Sequence, residues 1–270
     1  MSTKTTRTQD ILDRTPSSIA LYRLLVPFVI VGLWELLSRW IGPRVLPGPV
    51  HTFSALYEGI QSGWVIPNTN VTMQAVVISF LIATVIGGVT GLILGFNKPA
   101  YDIVEPFFLS FYSVPKITMY PIFLFIFGVG LNTKVGFATF SSFFPMLIIT
   151  MGAVRSIDDV YINVGKSLQV SRYQMFRHIV LPYILVQLVV ALRLTFNSAF
   201  LAVILVELFA ARSGLGLVLQ HAMGTFNSEE ILIVVTVLAV IAFVINIIFY
   251  GAQQLLEERW NMTSDEQMGI

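Results

Sequence analysis

The side chains that most often carry out chemistry in proteins are scarce in this sequence and scattered along it. There is no cysteine, which excludes disulfides, thiolate nucleophiles and cysteine-ligated metals. The histidines, His51, His178 and His221, lie far apart and outside the apolar segments. The metalloprotease pattern His-Glu-x-x-His, the nucleophile elbow Gly-x-Ser-x-Gly and the Walker A sequence are all missing from the sequence. We therefore expect no catalytic residue and no metal ligand, and any ATPase must be a separate chain.

Charged side chains inside apolar segments are the remaining candidates for function, namely Glu35, Lys116, Arg193 and Glu207. Charge within a membrane is costly and usually marks a functional site. Lys116 could attract an anion or could be paired. Arg193 shares a helix face with Asn197, one turn on. Arg193 and Glu207 are too far apart in one helix to pair, so each needs a partner from another helix or subunit, and a buried pair remains an alternative to a substrate contact.

The residues around Lys116 indicate a broken helix. Pro115 and Pro121 each remove a backbone donor, and freed carbonyls in a membrane need protein or water nearby. This predicts either a translocation pathway or a kinked structural helix. The predicted pathway residues are Tyr112, Ser113, Lys116, Thr118, Tyr120, Arg193, Asn197 and Glu207.

The composition places these residues in an all-α integral membrane protein. Hydrophobic residues make up 56% of the chain and charged residues only 11%, against about 25% charged in soluble domains. A spanning helix needs about 20 apolar residues. The sequence predicts six spans, with no second domain, at about Ala20–Ile41, Val71–Phe96, Ile103–Val129, Val135–Val154, Ile179–Phe209 and Ile231–Leu255. This divides the chain into an N-terminal segment (1–19), a permease domain (20–256) and a C-terminal tail (257–270).

The distribution of basic residues predicts the orientation. Cytoplasmic loops are enriched in Lys and Arg. With a cytoplasmic N-terminus, the inner side collects Lys4, Arg7, Arg14, Arg23, Lys98, Arg155, Lys166, Arg172, Arg177 and Arg259, and the outer side collects Arg39, Arg44, Lys134 and Arg212. We therefore expect both termini and residues 155–178 in the cytoplasm. The net charge of +1 gives no general attraction to nucleic acid.

The polar segment 155–178 shows an ordered pattern. Ser171 and Gln174 form a predicted capping box, which opens a helix that runs on into the fifth span. Before it, Val160, Val164 and Leu168 fall on one face of a short helix. Two short helices joined by a turn could form a docking surface, or could be an ordinary loop with a helix at the membrane surface.

Residues 163–182 resemble the cytoplasmic EAA loop of ABC-importer permeases. That motif reads Glu-Ala-Ala, three residues, Gly, nine residues, then Ile-x-Leu-Pro, and Ile179, Leu181 and Pro182 match its end. Leu168, Ser171, Arg172 and Phe176 are also similar to the family's choices. Asn163 stands in place of the Glu, Val164 and Gly165 in place of the two Ala, and Gln169 in place of the Gly, at which a tight turn is expected and Gln tolerates positive φ poorly. The resemblance implies that the loop forms coupling helices that bind an ATPase.

Further segments resemble the nitrate/sulfonate/taurine-type branch of these permeases. They are Leu46-Pro47-Gly48-Pro49, Val114-Pro115-Lys116, Phe127-Gly128-Val129-Gly130, Glu207 and Ser213-Gly214-Leu215-Gly216. The resemblance implies import of a small solute, and Lys116 and Arg193 favour an anionic one such as a sulfonate, nitrate or carboxylate. It implies three partners: a cytoplasmic ATPase dimer that binds ATP and Mg, a second permease copy, most simply in a homodimer, and a periplasmic or lipid-anchored binding protein on the outer loops, Pro43–Asn70 and Ala211–Glu230. The location would be a bacterial inner membrane.

Gly87, Gly91 and Gly95 recur every fourth residue in the second span. Small residues on one face let another helix approach closely in a membrane, although glycine is also simply frequent in such helices. The spacing predicts a helix-packing face.

The alternative function is an ion-coupled secondary transporter that works without an ATPase. Such transporters often contain inverted repeats with paired broken helices. Only the third span is clearly broken by sequence, and that class gives the ordered loop at 155–178 no role.

Overall fold

The computed structural model describes the backbone of residues 16–268 and the side chains of residues 25–257. Over the described backbone the chain is helical, without strands. The helices are α1 (Pro16–Ile41), α2 (Pro49–Gln61), α3 (Val65–Phe96), α4 (Lys98–Ser113), α5 (Tyr120–Phe127), α6 (Leu131–Arg155), α7 (Asp159–Ser167), α8 (Arg172–Ala210), α9 (Leu215–Gly224) and α10 (Ser228–Met268). A short 3₁₀ turn, Lys116–Met119, precedes α5.

Four helices in the described part of the chain are long and apolar enough to cross a membrane: α3, α6, α8 and α10. The pair α4 and α5 would make a fifth span if counted as one. The predicted first span falls in α1, whose first nine side chains are outside the described set. The all-α membrane fold is confirmed, and the count of six spans stays a prediction. The predicted segment 1–19 and the basic residues Lys4, Arg7, Arg14, Arg23 and Arg259 also lie outside the described side chains.

The predicted third span is broken once, at Pro115. Val114 is extended, with ψ 134°, as expected of a residue that precedes proline. The helices on the two sides of the break are bent by 86°. Pro121 does not break the chain as predicted. It lies in the first turn of α5, where the missing N–H would have had no helical partner.

Helices α3 and α6 pack along the face predicted from the glycine spacing. A Cβ on Gly87 would lie 2.9 Å from the carbonyl oxygen of Phe143, one on Gly91 2.8 Å from that of Leu147, and one on Gly95 2.8 Å from that of Met151. The three glycines therefore meet successive turns of the α6 backbone. No side chain fits between the two helices at these positions.

The core lies where α3, α6 and α8 meet. Its buried residues include Val76 of α3, Phe137 of α6 and Val203 of α8. Helix α6 is the most enclosed of the spans, and α10 is the most exposed. Exposed apolar side chains on α10, such as Phe243 and Ile248, suit contact with lipid rather than with water.

Helix α8 runs without interruption from the polar loop into the membrane. Its residues Phe176–Val180 form a π-helical turn, in which the backbone N–H of Leu181 donates to the carbonyl of Phe176. Such a turn accommodates Pro182, which offers no N–H to the carbonyl four residues back. The predicted continuation of the Ser171 helix into the fifth span is therefore present.

Candidate functional site

Candidate functional residues cluster in three places: residues 155–178, the segment predicted to couple to an ATPase and called the coupling loop below, a cavity at the Pro115 break, and a buried polar cluster at the predicted outer end of the bundle. The coupling loop begins with α7. The Asp158 side chain accepts from the backbone N–H of Val160 at 2.9 Å and caps that helix. A carboxylate at this position also favours the positive end of the helix dipole.

Helix α7 ends in a Schellman motif centred on Gln169. The backbone N–H of Val170 donates to the carbonyl of Gly165 at 3.2 Å, and that of Gln169 to the carbonyl of Lys166 at 3.0 Å. Gln169 has φ +55°, the left-handed conformation that glycine adopts most easily. The tight turn expected at this motif position is thus present, with a glutamine in place of glycine.

The second helix of the loop begins at Ser171 with both hydrogen bonds of the predicted capping box. The Ser171 hydroxyl accepts from the N–H of Gln174 at 3.2 Å, and the Gln174 side chain accepts from the N–H of Ser171 at 2.8 Å. Arg172 follows, exposed, and Phe176 packs partly buried against the cluster around Val180. The cap fixes where α8 starts and how it leaves the turn.

The two faces of α7 differ sharply. Gly165 is buried, and a Cβ there would come within 2.5 Å of Met175 and 2.9 Å of Ile179, so α7 lies directly on α8. The other face carries Val160, Val164 and Leu168, which are 62%, 52% and 71% exposed. Asn163 is exposed beside them. The apolar face predicted from spacing therefore points away from the protein.

The second place is a cavity of about 340 Å³ beside the Pro115 break. Its polar lining comes from Lys116, Ser141 of α6 and Ser198 of α8, and its apolar lining includes Phe137, Leu201 and Leu205. The Lys116 ammonium lies 4.1 Å from the centre of the Tyr112 ring, within the range of a cation–π contact. Three separate segments of the chain thus form one partly apolar chamber with a single cation.

Most of the other predicted pathway residues near the break do not line the cavity, and their side chains bond or pack elsewhere in the chain. The hydroxyls of Ser113 and Thr118 donate to the carbonyls of Leu109 and Pro115 in their own turns. Tyr120 is buried with its ring against Phe137. Among the predicted pathway residues, Tyr112 places its ring beside the Lys116 ammonium.

Arg193 and Asn197 occupy different surroundings despite their spacing. Asn197 exchanges two hydrogen bonds with Asn246 of α10, at 3.0 and 3.2 Å, and so joins α8 to α10. Arg193 makes no ion pair with any residue whose side chain is described. Asn197 therefore has a structural partner within the chain.

The third place is the outer cluster, formed by Asn68, Thr72, Lys134, Glu207 and the turn 213–216. The Glu207 carboxylate is fully buried and lies 2.7 Å from the Lys134 ammonium, itself 3% exposed. The Thr72 hydroxyl and the N–H of Gly216 donate to the same carboxylate at 2.8 and 2.9 Å. Glu207 thus has the partner on another helix that its buried charge requires.

The outer cluster also fixes the turn that leads into α9. Lys134 donates to the carbonyl of Ser213 at 2.7 Å, Asn68 accepts from the N–H of Gly214, and Thr72 accepts from that of Leu215. A Cβ on Gly214, where φ is +113°, would lie 2.1 Å from the Glu207 carboxylate. Glycine is required there for both space and backbone conformation.

Sequence reasoning missed Lys134 as a partner of Glu207 and treated it as an outer basic residue. It also missed Thr72, Ser141 and Ser198. Lys134 lies at the polar start of an apolar helix, a position where lysine normally reaches water. The available signal was the unpaired Glu207 at the matching end of another predicted span, which called for a cation on the same side.

Helices long and apolar enough to cross a membrane, a broken helix beside a cavity and an exposed apolar face on α7 are typical of a membrane-spanning transport subunit. Residues 83–262 match the family described as "Binding-protein-dependent transport system inner membrane component". The chain belongs to this family. It is a multi-pass inner-membrane permease of the ABC-importer type, in the nitrate/sulfonate/taurine branch.

Individual relatives agree with this assignment. SsuC of Bacillus subtilis (strain 168), named for the transport of aliphatic sulfonates, is 25% identical over 81% of this chain and 80% of its own length. The nitrate import permease NrtB of Synechococcus elongatus is 25% identical over 77% and 79%. A solved structure of the methionine ABC transporter MetNI, in an inward facing conformation, matches with a TM-score of 0.63 at 20% identity, over 71% of this chain and 95% of that chain. The last similarity concerns the fold.

Proposed function

We propose that this permease imports a small anionic solute such as a sulfonate, nitrate or carboxylate, and that a separate ATPase drives it through the coupling loop. Transport by a binding-protein-dependent system requires both an energy source and a pathway. In this proposal the coupling loop would provide the contact with the energy source, and the cavity at the Pro115 break would form part of the pathway. The chain itself would carry no catalytic residue.

The observation that carries the proposal is the outward-facing apolar surface of α7. Val160, Val164 and Leu168 are exposed on a loop too polar to enter the bilayer, and exposed apolar patches of this kind mark protein interfaces. The opposite face of α7 is packed on α8 through Gly165. A partner that moves α7 would therefore move the start of α8.

Helix α8 is suited to carry such a movement to the pathway. It is continuous from Arg172 to Ala210, and Ser198, which lines the cavity, lies on the same helix as Arg172. At 1.5 Å per residue the two are separated by about 40 Å. ATP binding with Mg would close the ATPase dimer, tilt α8 and open the pathway outward, and hydrolysis would reset it.

The anionic substrate rests on two supports. The relatives named above are named for sulfonates and nitrate, and Lys116 is the one cation lining the cavity. A binding protein would deliver the solute to the outer side. The outer segments Pro43–Asn70 and Ala211–Glu230 lie close together there, since His51 of α2 contacts Glu229 of α10 at 2.9 Å.

The assembly would hold two permease copies, most simply a homodimer, because each chain has one coupling loop and the ATPase is a dimer. Both termini and the coupling loop would face the cytoplasm of a bacterial cell. The exposed apolar helices face the lipid bilayer, and nothing in the charge distribution favours a nucleic acid partner.

The test is co-purification from mild detergent of the tagged chain, followed by an assay of ATP hydrolysis. The variant Val164→Asp/Leu168→Asp places two charges in the exposed face of α7 without touching the Gly165 contact. We expect a stoichiometric ATPase with the unchanged chain and at least a tenfold loss with the variant. The matched control is Val50→Asp/Phe53→Asp, two exposed apolar residues of α2, which should retain the ATPase.

If the ATPase remains bound to the α7 variant, the exposed face of α7 is not its binding surface, and this part of the proposal is wrong. A chain that purifies alone and transports in proteoliposomes under an ion gradient would establish the secondary transporter instead.

A further inference from the structure

A cavity of about 490 Å³, separate from the one at the Pro115 break, lies between α7, the start of α8 and the end of α3. Most of its lining is apolar and includes Ile162 of α7, Phe176 of α8 and Phe96, the last residue of α3. Two cations, Lys166 and Arg172, complete the lining. The cavity therefore combines an apolar interior with positive charge, and its volume is within the range of ligand sites.

The chain itself accommodates these two cations unequally. Lys166 lies in the last turn of α7, where the helix dipole favours a positive charge. Arg172 is the first residue of α8, where the dipole disfavours a positive charge. Neither cation forms an ion pair with any residue whose side chain is described. An anionic group in the cavity would therefore relieve an unfavourable interaction at Arg172 and could contact Lys166 at the same time.

The cavity adjoins an exposed apolar stripe on α3. Val85, Val89, Ile93 and Phe96 follow one another at intervals of three or four residues, and all four are exposed. They lie on the opposite face of α3 from the glycines that contact α6. Such a stripe suits contact with the acyl chains of lipids. Because Phe96 belongs both to the stripe and to the cavity wall, a molecule in the cavity can extend along α3 into the bilayer.

The cavity lies on a different side of α7 from the surface proposed for the ATPase. At 3.6 residues per turn, two positions along a helix are separated by about 160° around its axis. Ile162 and Lys166, which line the cavity, are each two positions from Val164 of the exposed apolar face. A ligand in the cavity would therefore leave that apolar face of α7 free.

We propose that this cavity binds the headgroup of an anionic phospholipid from the membrane leaflet at the coupling loop. Lys166 and Arg172 would contact the phosphate, and the acyl chains would lie along the exposed stripe of α3. Guanidinium groups bind phosphate oxygens in pairs, and basic pockets on the cytoplasmic side of membrane helices are suited to anionic headgroups. The bound lipid would join α7 to α8 at the membrane surface.

The lining favours an anionic phospholipid over two related ligands. A free phosphate would use the two cations and leave the apolar walls, such as Phe96 and Phe176, without a partner. A phosphatidylcholine has a cationic group of its own beside the phosphate, and two protein cations would repel it. Binding of this lipid is independent of the transported solute and of ATP, so it can be measured whether or not the proposed function holds. Only the assignment to the cytoplasmic leaflet rests on the predicted orientation.

The test is a lipid titration of the full-length chain, delipidated in mild detergent, with bound lipid counted by native mass spectrometry. Phosphatidylglycerol is compared with phosphatidylcholine of the same acyl chains. We expect the first phosphatidylglycerol to bind at least about tenfold more tightly. In the variant Lys166→Gln/Arg172→Gln this preference should fall at least about tenfold, because both cations beside the headgroup are lost. The exchange Lys166→Arg/Arg172→Lys keeps both charges and should retain the preference.

The matched control is Lys98→Gln/Arg177→Gln. It removes the same charge from the same predicted side of the membrane, and both residues are exposed and lie outside the cavity lining. The control should bind phosphatidylglycerol as the unchanged chain does. Without added lipid, the unfolding midpoints of all these chains should agree, since Lys166 and Arg172 are also exposed. Added phosphatidylglycerol should raise the midpoint in every chain except Lys166→Gln/Arg172→Gln.

Four results would overturn the lipid site. The first is equal affinity for phosphatidylglycerol and phosphatidylcholine, and the second is the same loss of affinity in the control variant as in Lys166→Gln/Arg172→Gln. The third is displacement of the lipid by inorganic phosphate at the concentrations at which a short-chain phosphatidylglycerol displaces it, which would assign the cavity to a soluble anion. The fourth is loss of the lipid when the ATPase binds, which would assign the cavity to the ATPase contact.

Discussion

The Glu207 carboxylate is held by three donors from three parts of the chain: Lys134 on α6, Thr72 on α3 and the N–H of Gly216. Both charges of the pair are almost fully buried. A buried pair contributes little net stability compared with an apolar pair of the same shape, but removal of one partner leaves an uncompensated charge. We therefore expect the pair to act mainly by specifying how these elements meet.

This predicts an asymmetric response to substitution. Lys134→Met alone should destabilise the protein by about 3–5 kcal/mol, because Glu207 would be left charged and buried. Adding Glu207→Gln to the same chain should recover a large part of that loss. The measurement is the midpoint of thermal unfolding in detergent. It is obtained by size-exclusion chromatography of a fluorescent fusion of the chain after heating.

The control for this prediction is Lys166→Met, which removes an exposed lysine from the coupling loop. It should leave the midpoint unchanged. Equal midpoints for Lys134→Met and the double variant would contradict the ion-pair account.

A second prediction concerns the backbone conformation of a single residue, Gln169. A non-glycine residue in the left-handed region costs about 1–2 kcal/mol, and Gln169 has φ +55°. Gln169→Gly should therefore stabilise α7 and its turn by about 1 kcal/mol. Hydrogen exchange at the N–H groups of Gln169 and Val170 reports this local stability.

A glutamine-to-glycine substitution inside a helix should instead lower the local stability. Gln220 lies exposed inside α9, where glycine is about 1 kcal/mol less favourable than a good helix former. Gln220→Gly should speed exchange within α9. If both substitutions destabilise their helices, Gln169 does not occupy a strained conformation.

Among the elements, the contact of α3 with α6 was predictable because its signal is local. Three glycines at a spacing of four identify one face of one helix without knowledge of the partner. The partner was not predictable, since it is the α6 backbone at Phe143, Leu147 and Met151, and any helix can offer carbonyl groups. For the same reason the sequence indicated that Glu207 needed a cation and left Lys134 unidentified.

The break near Lys116 shows a second limit. Pro115 and Pro121 look equivalent in sequence, yet only Pro115 ends a helix. Their effect depends on where each falls relative to a helix start, and α5 begins at Tyr120, just before Pro121. Helix α5 packs against α6, and a tertiary contact of this kind is not revealed by local sequence.

The close contact of α3 with α6 can be tested at Gly91. Gly91→Ala would place a methyl group 2.8 Å from the Leu147 carbonyl oxygen and 2.9 Å from Thr150 Cβ, and both belong to α6. Such overpacking costs about 1–3 kcal/mol. The expected result is a lower unfolding midpoint in detergent.

Gly152→Ala is the matched control on the facing helix. Its Cβ would meet no atom within 4 Å, and alanine is about 1 kcal/mol more favourable than glycine inside a helix. The midpoint should be unchanged or higher. A Gly91→Ala chain as stable as the control would show that α3 and α6 can separate without cost.

For the whole molecule, the orientation in the membrane is the main prediction still open. The uneven distribution of Lys and Arg between the two sides of the membrane predicts that the coupling loop is cytoplasmic and that α2 lies on the outer side. In the cysteine-free chain, Ser54→Cys and Ser167→Cys each introduce one exposed thiol, on α2 and at the end of α7. A membrane-impermeant maleimide should label Ser54→Cys in intact spheroplasts and Ser167→Cys only after permeabilisation. The reverse pattern would invert the topology and remove the coupling loop from the ATPase side.

The outer cluster also has a consequence for the insertion of the chain into the membrane during synthesis. Helix α6 is synthesised before α8, so Lys134 reaches the membrane before Glu207 exists. Until α8 is in place the ammonium has no counter-charge, and it is stable only if it stays at the outer water interface. We therefore expect the tight fit of α6 between α3 and α8 at this end to be a late event in biogenesis. A nascent chain halted before Glu207 would leave the Lys134 ammonium without the counter-charge that it has in the folded chain.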